Sequence, residues 1–149
     1  MGGLPDLREW QLDAEIHAIG TAGLQRCQAC YDERMHAQLL RLQEITELDQ
    51  LVADSWKQPV LLFKHSRTCG ISAEALEELI SHLDAAETGA RYAMVTVQTH
   101  RDVSNEVATR LGIRHHTPQV ILVRDGRAVW SASHFRVNAL TLNRALTSP

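Results

Sequence analysis

"PVLLFKHSRTCGIS", residues 59–72, runs from a mostly apolar segment through a short polar turn to a single cysteine, with a serine where a redox pair would place its second thiol. The segment from Pro59 to His65 has strand length and no polar alternation, the pattern of a strand covered on both faces. Beyond the cysteine, Leu76, Leu79, Ile80 and Leu83 recur at helical spacing, and Gly89 lies just past the end. Cys69 is therefore expected directly before the first turn of a helix. There, unpaired backbone amides and the helix dipole favour a thiolate over a thiol whose ordinary pKa is about 8.5. Lys64 and His65 stand shortly before it and can add positive charge. Two readings of Cys69 follow: a nucleophile, or a small buried hydrophobe, as most free cysteines are.

The flanking pattern extends this strand–turn–helix unit in both directions. Upstream, Thr46 with Leu48, Leu51 and Val52 predicts a capped helix ending near Trp56, before Pro59. Downstream, "RYAMVTVQT" (91–99) predicts a second strand, and Val103, Val107 and Leu111 a helix stopped by Gly112. "PQVILVR" (118–124) and "RAVWSAS" (127–133) then form two strands joined by Asp125-Gly126, a strong two-residue hairpin signal. A last helix is expected over 136–147 around Val137, Leu140 and Leu146. The order is a parallel βαβ unit followed by an antiparallel pair, giving an α/β domain with a mixed central sheet flanked by helices. This order resembles the thioredoxin-like core. Ahead of it, Leu12, Ile16 and Ile19 predict a helix over 6–19, and Leu24, Cys27, Tyr31 and Met35 another from Thr21 to Leu40. The expected organisation is an N-terminal helical extension over 1–39 and a thioredoxin-like domain over 40–149.

At 149 residues with 44% hydrophobic content, the chain is long enough for one sizeable core. A net charge of −3, without a basic run, gives no reason to expect a nucleic-acid partner. The N-terminal stretch carries acidic residues along its length and lacks an apolar segment of signal-peptide or membrane-span length, so no membrane partner is expected and the location is read as cytoplasmic. Three cysteines, an odd number, fit catalytic, metal-binding or buried thiols in a reducing compartment better than structural disulfides.

Three separated segments, "FKHSRTCGIS", "VSNEVATRLGIRHHTPQVILVRDG" and "VWSASHFRV", together resemble the YtxJ-type monothiol bacilliredoxins of the bacillithiol redox system. The similarity covers roughly residues 40–147. It implies that Cys69 is the reactive thiol, that Thr117-Pro118 is the cis-proline segment facing it, with the Thr117 backbone pairing with the bound thiol or peptide, and that Ala132, Ser133 and His134 form the family's "ASH" segment. On this basis the substrate is expected against Lys64, His65, Thr68, Gly70, Thr117, Pro118 and His134. The implied activity is thiol–disulfide exchange: Cys69 removes bacillithiol, or a similar low-molecular-weight thiol, from mixed disulfides on client proteins. Bacillithiol is then a co-substrate, and no resident cofactor or metal is expected. Ser72 cannot resolve the intermediate. It stands three residues along the same helical face and can donate a hydrogen bond to the sulfur, or be simply an early helical residue. Gly70 departs from the family's pattern, which has proline after the cysteine.

Cys27 and Cys30, in "CQAC", share a helical face at a spacing used by redox dithiols and by half of a zinc site. Only His17 and His36 lie near, at irregular spacing, which disfavours zinc. Packing and a role as resolving thiols for Cys69 both stand. Two further functions compete: an iron–sulfur carrier, because "CGIS" is similar to the CGFS signature of monothiol glutaredoxins, and a non-catalytic, stress-related interaction module.

Overall fold

The computed structural model describes residues 35–85 and 87–148. Its centre is strand β2 (Val60–His65), every residue of which is buried. On one side β2 pairs in parallel with β3 (Arg91–Thr96), and on the other it runs antiparallel to β4 (Gln119–Arg124). Two edge strands, β1 (Leu39–Arg41) and β5 (Arg127–Ser133), complete a five-stranded sheet in the order β1-β3-β2-β4-β5. A strand with neighbours on both edges and helices over both faces has no solvent side. Its unbroken apolar reading is the direct result.

Helices α1 (Ile45–Asp54) and α3 (Arg101–Leu111) cover one face, and α2 (Gly70–Ala85) and α4 (Ala139–Thr147) pack together on the other. Under α1 and α3 lies a core of Leu48, Leu51, Val60, Leu62, Val95, Val103 and Val107, closed from the far strand by Ile121 and Val123. Leu79, Leu83, Phe63 and Leu142 are likewise buried. Fully burying such a side chain stabilises a fold by about 1.5–3 kcal/mol, so the apolar periodicities seen in the sequence hold the helices onto the sheet.

Helix α3 ends where expected, with Gly112 left-handed at φ 61°. The Asp125-Gly126 hairpin has both residues at positive φ, 50° and 73°, as a two-residue turn matching strand twist requires. Its tip is tied to the end of α1, where Ser55 O accepts from Asp125 N and Ser55 Oγ from Gly126 N, each at 2.9 Å.

Two local expectations change. Helix α1 starts from Glu44 rather than Thr46: the Glu47 carboxylate accepts from the amides of Gln43 (2.7 Å) and Glu44 (3.1 Å), which holds its pKa below the usual carboxylate value. The helix expected to reach Leu40 is absent over its described end, where a turn leads into β1, with Leu39 opposite Tyr92. The rest of that helix, the 6–19 helix, Cys27 and Cys30 lie outside the described residues.

Candidate active site

The C-terminal ends of β2 and β3 and the N-terminal end of β4 meet at one end of the sheet, with Lys64 opposite Gln119 and His65 opposite Thr96. Past His65 the chain turns through 66–68, and α2 begins at Gly70. The Cys69 carbonyl accepts from the amides of Ser72 and Ala73, both at 3.1 Å, so Cys69 is the N-cap residue of α2. Its thiol is free and half-buried, flanked by exposed Thr68 and Gly70. A Cβ placed on Gly70 meets nothing within 4 Å, so open space stands where the helix begins.

Gln98, just beyond β3, clamps the turn before the cysteine. Its Oε1 accepts from Arg67 N (3.2 Å), while its Nε2 donates to Ser66 Oγ (2.6 Å) and Thr68 Oγ1 (3.2 Å). Sequence reading did not find this residue, since a glutamine in a polar loop carries no local signal of such a role.

Ser72 is fully buried and turned inward. Its Oγ accepts from Ser66 N at 2.9 Å and lies 2.9 Å from His65 Nδ1. The hydroxyl ties the end of β2 to the first turn of α2 and sets the path of the cysteine turn, where the sequence suggested a bond to the Cys69 sulfur.

Lys64 and His65 also differ from a ligand-contacting role, because both side chains are buried. Burial pushes the His65 pKa down to about 4, so the imidazole is neutral near pH 7 and adds no positive charge beside the thiol. Lys64 points into the opposite face of the sheet. Its Nζ donates to Ser104 O at 2.9 Å and lies 2.6 Å from His115 Nδ1, with its pKa lowered by burial to about 8.

The 114–118 loop crosses this end of the sheet. The Thr117-Pro118 bond is cis. Buried Gln119 braces the loop, accepting from His116 N (3.2 Å) and donating to Arg114 O (3.0 Å). His134, in the short 3-10 turn after β5, donates its amide to Pro118 O at 3.1 Å, and its ring lies edge-on to that of His116 with centroids 5.9 Å apart. Its φ of 55° is a left-handed conformation uncommon outside glycine, at the point where the chain leaves the sheet beside the proline. Between α2 and this turn, a groove of about 350 Å³ runs along the helix from its first turn, lined by Ile71, Glu74, Ala75, His134, Phe135 and Val137. The Phe135 ring is 74% exposed there.

A cysteine at the N-cap of a helix that follows a central strand, with a cis-proline loop at the same end of the sheet, is the layout of a thioredoxin-type site. The family model for monothiol bacilliredoxin BrxC matches residues 40–142. The chain belongs to the monothiol bacilliredoxin family. Among solved structures, a thioredoxin-fold protein described as a candidate oxidoreductase is similar at 29% identity with a TM-score of 0.65, over 72% of this chain and 93% of that one. Mitochondrial thioredoxin 3 from Saccharomyces cerevisiae superposes with a TM-score of 0.59 at 17% identity, over 72% and 92%. A poplar thioredoxin h mutant gives 0.60 at 20%, over 74% and 81%. The last two show the thioredoxin fold. No helix among the described residues is long and apolar enough to cross a membrane.

Proposed function

We propose that this monothiol bacilliredoxin is a cytoplasmic thiol–disulfide oxidoreductase that removes bacillithiol from mixed disulfides on client proteins through Cys69. The observation that carries the reading is the single free thiol at the N-cap of α2, with a buried serine hydroxyl, not a sulfur, three residues on. The Cys69 thiolate attacks the bacillithiol sulfur of the mixed disulfide. The new S–S bond forms as the client–bacillithiol bond breaks, and the client leaves as a thiolate that takes up a proton. A second low-molecular-weight thiolate then attacks the bacillithiol sulfur on Cys69, yielding a small-molecule disulfide and the free enzyme. No resident cofactor enters this cycle. The groove lined by Ile71, Glu74, His134 and Phe135, which runs along α2 from its first turn, offers space for a client segment. Cys27 and Cys30 are proposed as an alternative source of the resolving thiol.

Mass spectrometry after incubation with oxidised bacillithiol and, separately, oxidised glutathione tests the reading. A selective bacillithiol adduct on Cys69 is expected, together with loss of client de-bacillithiolation in Cys69→Ala. Retention of activity in that variant, or no activity in the parent protein, overturns it. Peptide mapping after mild oxidation tests the resolving pair, since absence of any Cys69 link to Cys27 or Cys30 removes that role.

A further inference from the structure

A second polar connection at this end of the sheet begins on the face away from Cys69. Lys64 is the only fully buried cation among the described residues, and its ammonium has donors and no acceptor. Because its Nζ lies 2.6 Å from His115 Nδ1, that nitrogen must supply the lone pair. His115 has a lowered pKa, from burial first and then from the charges of Lys64, His116 and Arg101, so near pH 7 its ring carries one proton. With Nδ1 accepting, that proton is on Nε2. Nε2 lies 3.2 Å from Thr117 Oγ1, which therefore accepts and leaves its own O–H directed elsewhere. Thr117 is half-buried and immediately precedes Pro118.

We propose that Thr117 presents a hydroxyl donor to the sulfur leaving as a thiolate during exchange at Cys69, and that Lys64, acting through His115, is the positioning residue that sets this polarity. Only the Nε2–H form of His115 makes Thr117 a donor toward the ligand. The other tautomer would draw the hydroxyl proton back onto the ring and turn an oxygen lone pair toward an anionic sulfur. The buried lysine thus orients a group it does not touch. This rests on the exchange reading above but not on the identity of the small thiol.

Two measurements test it. Long-range proton–nitrogen correlation of the imidazoles at pH 7 should show His115 as the Nε2–H tautomer in the parent protein and a mixture of tautomers in Lys64→Met. An Nδ1–H or doubly protonated ring in the parent protein overturns the proposal without any variant. Exchange of Cys69 with hydroxyethyl disulfide should slow about tenfold in Thr117→Val, the order expected for one hydrogen bond to a charged group. Thr117→Ser should restore most of the loss, and Lys64→Met should slow the parent protein but not Thr117→Val. An unchanged rate in Thr117→Val, or equal slowing by Lys64→Met in both backgrounds, overturns it. Hydroxyethyl disulfide separates the two conclusions: a Thr117 effect with this probe, combined with no action on bacillithiol mixed disulfides, leaves this inference standing and removes the proposed substrate.

Discussion

Gly70 occupies the first position of α2, where backbone freedom costs stability and no neighbour fills the space a side chain would take. Gly70→Ala is expected to stabilise the fold by about 0.4–1 kcal/mol, chiefly by restricting the unfolded chain, which thermal melting would read as a raised midpoint. Gln98 is the opposite case, a side chain whose three hydrogen bonds converge on the turn before the thiol. Gln98→Ala should loosen that turn and cost about 1 kcal/mol. Iodoacetamide alkylation of Cys69 in the native state should change in rate, while an unchanged rate would show that the turn holds itself. Neither residue announces its role in the sequence, because one acts through empty space and the other through contacts about thirty positions away.

Among the elements, the hairpin and the helix stops were legible because they depend on backbone conformation that few residues tolerate. Gly126 combines that constraint with a close approach: at φ 73°, a Cβ would stand 3.2 Å from Trp56 Nε1. Gly126→Ala should therefore destabilise the protein by about 1–2 kcal/mol, measured by urea unfolding. β1 was not legible, since three residues hold no periodicity and its strand character comes from pairing with β3. The Glu44 start of α1 was missed for a related reason. Several polar residues precede the apolar stripe, and only the folded geometry shows which carboxylate reaches back to the free amides.

For the whole molecule, two of the buried bases, Lys64 and His65, make stability depend on pH in separate windows. Lys64 binds its proton less readily in the fold, at about 8, than in the unfolded chain, at 10.5. Unfolding takes up a proton between those values, stability rises with pH across them, and below about pH 8 the full penalty of about 3 kcal/mol is present. Lys64→Met should accordingly gain stability at pH 7, with the gain shrinking towards pH 10.5 in denaturant titrations. His65 titrates near 4 in the fold against 6.5 unfolded, so its neutral burial costs nothing above that range and destabilises progressively as pH falls from 6.5 to 4. His65→Phe should flatten that acid limb, and an unchanged limb would assign it to other groups.

The alternation of strand and helix and the placement of Cys69 at a helix start were readable from the chain, because each is written in local spacing, while the role of Thr117-Pro118 came only from the resemblance to a family. The inward turn of Ser72, the burial of Lys64 and His65 on opposite faces, and the line from Lys64 through His115 to Thr117 were decided by the sheet. Successive side chains of a strand point to opposite faces, and what each meets there is supplied by parts of the chain that no local pattern connects.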